Sequence, residues 1–391
     1  MSHRHPLLLV AAMVGIIAFT LPVGFALMPS ASASSTRNPI QIENALPGSS
    51  GWQLEVLSYH REIEGYASSP SYRAGQAADF FVSTTATSFH ADVYRMGWYG
   101  GAGARLVDSV GTFPGFKRAV PKPDSSTGLI ACHWGLSFQI TIPKQWLSGI
   151  YLVKLTGSNT HQAYIPFTIV DPTSNATYVF VHGVFTDEAY NTWGSRSLYA
   201  DIDVSEKQQY AGRAVKVTFQ RPFEQSMGAG WFLSWEIHMV RYLERNGYDV
   251  TYTTDLDVHE HPGALRNHRA ILVVGHDEYW SRNIRNGMAN AVAHGVNLAD
   301  FAANTGYWQV RLEPLGGVQD RVIVCYKTSP DPERFVDKSL VTTEWRNSPV
   351  NRPESELTGA MYGGFDGVHA PYPFVVTDPS SWVFAGTGLK K

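Results

Sequence analysis

Between residues 230 and 301 the chain switches repeatedly between two periods, and no other feature restricts the fold as tightly. Trp231, Trp235, His238 and Tyr242 recur at helical spacing over 230–246, with Gly247 placed to stop a helix. Asp249–Tyr252 reads as a strand. Ala270–Val274 is an unbroken apolar run, residues 281–294 read as a helix ended by Gly295, and Val296–Phe301 reads as a strand again. Upstream, Thr177–Val181 and Val215–Phe219 are further apolar strands. Strand, helix, strand in succession predicts crossover units. Continuously apolar strands predict a largely parallel sheet covered on both faces.

The stretch before residue 170 follows a different rule. Ala77–Ser83, Phe89–Arg95, Ser137–Ile142, Gly149–Leu155 and Ala163–Ile169 are short segments separated by turn residues, and two of them alternate cleanly. Phe89, Ala91 and Val93 share one face, as do Phe138, Ile140 and Ile142. That pattern, without a long helix, predicts an immunoglobulin-like β-sandwich. With 391 residues the chain exceeds one typical core. The expected organisation is multidomain: an all-β sandwich over 51–172, then an α/β domain over 173–391. Residues 34–50, rich in Ser, Asn, Pro and Gly, read as a linker.

Residues 1–33 carry a basic start, an apolar run from Leu7 to Leu21 and a small-x-small Ala31-Ser32-Ala33. This predicts a secretory signal peptide and a secreted, extracellular protein, with membrane attachment only if the segment stays uncleaved. A net charge of -3 gives no reason to expect nucleic acid as a partner. The two cysteines, Cys132 and Cys325, lack metal-ligand spacing and read as buried thiols.

One segment concentrates polar chemistry. In Val273-Val274-Gly275-His276-Asp277-Glu278-Tyr279-Trp280-Ser281, four side chains able to ligate or move a proton stand in a row. They follow a strand, where open α/β sheets bind ligands beyond the carboxyl ends. Ser281 is placed to cap the next helix, but a cap needs one such residue, not four. His276, Glu278 and Tyr279 are the candidate functional groups, with His276 and Glu278 as the catalytic candidates that would move protons. His259-Glu260-His261 resembles a ligand pair but lies in a polar loop, and metal sites want rigid support. No nucleophile elbow, zinc-protease helix motif or phosphate loop occurs.

The His276–Ser281 run, with Asn246–Val250 before it, Ala303–Trp308 after it, Tyr94–Gly103 upstream and Asn351–Gly359 downstream, resembles the N,N-dimethylformamidase large (β) subunit family. It is most similar to exported proteins grouped with that subunit's C-terminal domain. The resemblance implies an amide hydrolase with one iron, held by two tyrosines and a glutamate in a domain like class I glutamine amidotransferases. Matched by motif, the metal ligands would be Tyr279, His238 in place of the second tyrosine, and Glu354, with Glu356 as its fallback. A neutral imidazole for a phenolate lowers the site's negative charge and makes Fe(II), zinc or manganese as suitable as Fe(III). The expected substrate is a small amide. The competing expectation is a non-catalytic cell-surface or carbohydrate-binding protein that retains the fold, with cell-wall carbohydrate as a partner. The resemblance also implies that the α/β domain lacks its last elements.

Overall fold

Residues 63–169 form eight strands in two sheets. They are β1 (Ile63–Ala67), β2 (Ser71–Tyr72), β3 (Ala77–Thr84), β4 (Ser88–Met96), β5 (Ala104–Pro114), β6 (Phe138–Thr141), β7 (Gly149–Gly157) and β8 (Gln162–Ile169). The computed structural model describes residues 37–199, 212–327, 329–364 and 375–388; the signal segment expected at 1–33 lies outside them. One sheet runs β1-β3-β6 and the other β2-β8-β7-β4-β5. Phe80, Phe138, Phe89, Val93, Val153 and Phe167 of the two sheets meet in one buried cluster. β6 alternates buried and exposed residues as a half-covered strand should. β7 does not: it is buried at nearly every position, because the second face of its sheet is also covered.

What covers it is the second half of the chain. Four strands, β9 (Tyr178–His182), β11 (Val250–Thr254), β12 (Ala270–His276) and β14 (Asn297–Ala303), form a sheet in the order β11-β9-β12-β14. All its pairings are parallel, as the continuous apolar runs predict. The remaining strands, β10 (Lys216–Thr218), β13 (Tyr279–Ser281), β15 (Trp308–Leu315) and β16 (Val318–Val324), make a separate mixed sheet. The described helices are α1 (Pro39–Glu43), α2 (Val184–Tyr190), α3 (Ile237–Arg245), α4 (Asp255–Glu260), α5 (Arg282–Ala293) and α6 (Ser355–Thr358). Ser281 caps α5 by accepting from the Ile284 amide, as its position before the apolar period implies.

α3 lies between the sandwich and the parallel sheet. Its Val240 and Leu243 share a core with Tyr94, Ile150 and Leu152 on one side and Phe180, Tyr252 and Leu272 on the other. The opposite face of the parallel sheet carries Val179, Val181, Ile271 and Val273 against Phe185, Ile284 and Met288 of the helices there.

Three sequence expectations change. Residues 230–246 are not one regular helix: a π turn over Phe232–Glu236 precedes α3. The face bearing Trp235, His238 and Tyr242 points outward, with Trp235 48% and Tyr242 55% exposed. The periodicity is genuine but inverted: the inner face buries Ile237, Val240 and Leu243 together with Glu236 and Glu244. Residues 38–44 are not a free linker. α1 carries a capping box from Asn38, buries Ile40, and ties Asn44 to Glu244. Finally, His259 and Glu260 belong to α4, where the His259 Nδ1 lies 2.7 Å from the Ser281 hydroxyl.

Candidate active site

The carboxyl ends of β9 and β12 sit side by side and deliver the chain to α2 and to the turn at 276–278. Gly275 makes that turn. Its φ is +80°, and a Cβ there would fall 2.7 Å from the Cβ of Trp235, so the position admits only glycine without displacement. The turn is then pinned at both ends. The Glu278 amide donates to the Thr186 hydroxyl at 2.9 Å, and the Trp308 amide donates to the Glu278 carbonyl at 2.9 Å.

Glu278, 2% exposed, is the centre of the site. The Tyr190 hydroxyl donates to its Oε2 at 2.6 Å and the Tyr199 hydroxyl to its Oε1 at 2.7 Å. The two hydroxyls are 3.1 Å apart and their rings stack with centroids at 4.5 Å. His276 brings Nε2 to 3.3 Å from Glu278 Oε2. Lys327, 3% exposed, holds Nζ 3.2 Å from the centre of the Tyr199 ring, 5.0 Å from Trp308 and 5.3 Å from Tyr279. Its Nζ makes no hydrogen bond among the described residues, and its backbone is left-handed at φ 53°, the kind of local strain that clusters at functional sites.

The electrostatics follow from burial and these neighbours. Burial alone would raise the Glu278 carboxyl, but His276, Lys327 and Tyr190 outweigh it and hold the group below its ordinary value. Burial, and then Glu278, push the phenols of Tyr190 and Tyr199 up. Burial pushes the Lys327 ammonium down to about 7 against the opposing pull of Glu278. The site thus holds one buried anion, two phenol donors aimed at it, and a lysine amine over a tyrosine ring.

The residues expected from the sequence fall in three settings. Tyr279 is wholly buried under this group, its ring edge-on to Tyr190 and Tyr199, and its hydroxyl has no partner of hydrogen-bond geometry. His238 is exposed and makes no hydrogen bond or ion pair among the described residues. A helix turns about 100° per residue, so with Glu236 facing inward the side chain two places on points nearly the opposite way. Glu354 is buried, but both its oxygens are taken by Arg346, at 2.7 Å from Nη2 and 3.1 Å from Nε. A carboxylate clamped by a guanidinium is committed to that cation. Glu356 is exposed and lies 3.8 Å from Arg285. Of the sequence candidates, His276, Glu278 and the ring of Tyr279 lie together, and Tyr190 and Tyr199 join them unannounced. Among the described residues no three His, Cys, Asp or Glu side chains are placed to hold a metal ion; the oxygen cluster here draws two of its three members from tyrosine.

Beside this cluster lies a second set of acids. His182, at the end of β9, places Nε2 3.3 Å from Glu236 and 3.9 Å from Asp187. Asp187 accepts from the Trp231 amide at 3.2 Å, and Asp255 accepts from the Phe185 amide at 3.0 Å. None of these acids has a cationic side chain paired with it apart from His182, whose own ionisation burial pushes down to about 3. Burial therefore raises Asp187 to about 8 and Glu236 and Asp255 well above the carboxylate range.

Compared with known proteins, residues 90–391 match the family model described as N,N-dimethylformamidase beta subunit-like, C-terminal. The N,N-dimethylformamidase beta subunit of an Alcaligenes species is 23% identical over 220 residues, covering 47% of this chain and 29% of that protein. The beta subunit from Paracoccus aminophilus is 25% identical over 219 residues, with the same coverage. The matched part is thus under a third of the length of either relative. Among solved structures, the crystal structure of murine CEACAM1b aligns over 30% of this chain and 62% of that chain at 13% identity and a TM-score of 0.15, too low to carry any argument about the fold.

Proposed function

Since the chain belongs to the N,N-dimethylformamidase beta subunit-like, C-terminal family, we propose that it hydrolyses the C–N bond of an amide at the Tyr190–Tyr199–Glu278 cluster. The observation that carries this reading is the convergence of two phenol hydroxyls on one buried carboxylate, at 2.6 and 2.7 Å. Two tyrosines and a glutamate are the ligand set that the family resemblance implies for a single iron, and hard oxygen donors of this kind suit a strongly Lewis-acidic ion. Tyr190, Tyr199 and Glu278 would hold it, in place of the earlier set Tyr279, His238 and Glu354. The histidine at 238 then ceases to count against activity, because two phenols are supplied from elsewhere.

Bound there, the iron supplies Lewis acidity toward the amide carbonyl and water. The chain's own groups do the rest. Water adds to the carbonyl carbon and its proton passes to the imidazole of His276, which stands beside Glu278. The carbonyl oxygen takes the electron pair, and Lys327, a buried ammonium without a hydrogen-bond partner, offsets that charge. His276 returns the proton to the amide nitrogen as the C–N bond breaks, leaving a carboxylic acid and an amine. Glu278 and the ring of Tyr190, whose centroid is 5.2 Å from that of His276, hold the imidazole in place.

The wider organisation belongs to the same proposal. Residues 1–33 act as a secretory leader, the two-sheet layer is an immunoglobulin-like sandwich, and the parallel-sheet layer is related to class I glutamine amidotransferases. No helix among the described residues is long and apolar enough to cross a membrane. The test is direct: the purified chain, loaded with ferric or ferrous iron, is assayed on formamide, N,N-dimethylformamide and acetamide for release of the amine. Turnover that vanishes in Glu278→Gln supports the reading. Absence of both metal uptake and turnover overturns it.

A further inference from the structure

A line of aromatic rings runs from the Tyr190–Glu278 cluster to the protein surface, and neither the ligand set nor the proton path uses its outer members. Trp231 stands edge-on to Tyr190, with centroids 6.2 Å apart and planes at 88°. Trp235 lies 5.8 Å from Trp231 and is tilted by 35°. Trp235 also covers the turn itself, its Cβ occupying the space a side chain at Gly275 would need, one residue before His276. Yet 48% of Trp235 is exposed. A large ring left half in water beside a polar site gives up a substantial burial gain unless something else covers it.

The backbone is shaped to produce this arrangement. The π turn at Phe232–Glu236 adds a residue to the helical spacing, and such turns recur at functional sites. Here it lets Glu236 turn inward to His182 while Trp235, its neighbour, stays on the outer face. The Trp231 amide is anchored on Asp187 at 3.2 Å, so the inner ring is held from below. The result is an aromatic lip, part buried and part exposed, beside a site whose inner surface is tyrosine.

We propose that Trp231 and Trp235 determine specificity by stacking on a planar apolar substituent of the amide, so that N-aryl or N-arylmethyl amides are preferred over N,N-dimethyl ones. This rests on the hydrolase reading above and names its substrate class. An offset or edge-on aromatic contact contributes enough to change affinity roughly 3- to 10-fold.

The experiment uses the full chain and measures Kd by calorimetry for N-benzylformamide and for N,N-dimethylformamide, with kcat/KM for both on the iron-loaded protein. Wild type should bind the benzyl compound more tightly. In Trp235→Ala the ratio of the two Kd values should fall roughly 3- to 10-fold toward parity, and Trp235→Phe should restore part of it. Tyr242→Ala, exposed on the same helix, should leave the ratio unchanged and shows that a surface aromatic alone does not matter. Tighter binding of the benzyl compound without turnover keeps the stacking lip and overturns the hydrolase reading. Turnover of the dimethyl compound with no aromatic preference, or a preference that survives Trp235→Ala, overturns the lip.

Discussion

The hydroxyl of Tyr190 donates to Oε2 of Glu278 at 2.6 Å although 88 residues separate the two in sequence. One closes α2 and the other follows β12, so the contact exists because β9 and β12 are parallel neighbours. The metal ligands proposed here are thus a consequence of sheet order.

That relationship gives the first prediction. Tyr190→Phe, Tyr199→Phe and Glu278→Gln each remove one oxygen donor from the set and should abolish stoichiometric iron binding. His238→Ala should retain it, since His238 faces solvent. Tyr279→Phe should also retain it, because no hydrogen bond joins the Tyr279 hydroxyl to Glu278 among the described residues. Metal analysis after gel filtration decides: loss of iron in Tyr279→Phe with retention in Tyr190→Phe would restore the assignment made from the motif.

The junction between the two layers is held by charge. Glu244 of α3 receives the Arg95 guanidinium on both oxygens, at 2.8 and 2.9 Å, and the Tyr252 hydroxyl at 2.9 Å, all fully buried. Glu244→Leu leaves a buried guanidinium without its partner and should destabilise by about 3–5 kcal/mol. Combining it with Arg95→Met should recover most of that loss, since neither charge is then stranded. Urea unfolding of the two singles and the double measures the coupling. A double variant as unstable as the singles would assign the cost to packing instead.

The buried acids predict a pH dependence. Burial, with Glu188 and Asp277 close by, raises Asp187 to about 8 from an unfolded value of 3.8. The folded state therefore keeps a proton that the unfolded chain has released, and the stability this group contributes is lost as pH rises from about 4 through about 8. His182, lowered to about 3, acts only as pH falls below its unfolded value of 6.5. Lys327, lowered to about 7 from 10.5, runs in the opposite sense to Asp187 over its own window. Comparison with Asp187→Asn isolates the aspartate. Between pH 6 and 8.5 the melting temperature of the wild type should fall relative to that of the variant. Parallel curves would show that Asp187 is not holding its proton.

Much of this was readable in the sequence, and the parts that were not share a cause. Alternation located β4 and β6, and unbroken apolar runs located β9, β12 and the parallel sheet, because each depends on near neighbours. The run at 276–281 pointed to His276 and Glu278 through the general behaviour of strand ends. The same rule applied to β9 would have drawn attention to His182 and to Tyr190 on the helix that follows. Tyr199 had no such signal: it reaches Glu278 from an irregular segment through tertiary contact alone. The inversion at α3 was equally invisible, since periodicity shows that two faces differ but not which one is inside when the inner face carries Glu236 and Glu244.

Lys327 provides the last prediction, because its two effects should have opposite signs. An ammonium 3% exposed and without a hydrogen-bond acceptor costs stability that the Tyr199 ring, 3.2 Å from Nζ, only partly returns. Lys327→Met keeps the length of the side chain and removes the charge, so the protein should melt at a higher temperature. The same change removes the cation available to the oxyanion, and kcat should fall by about 10²–10³ while KM changes little. A site that gives up stability to keep a charge in place behaves in this way. If Lys327→Met instead melts lower, the lysine is a structural prop for Tyr199 and Tyr279. If it melts higher with kcat intact, the charge has no part in the reaction.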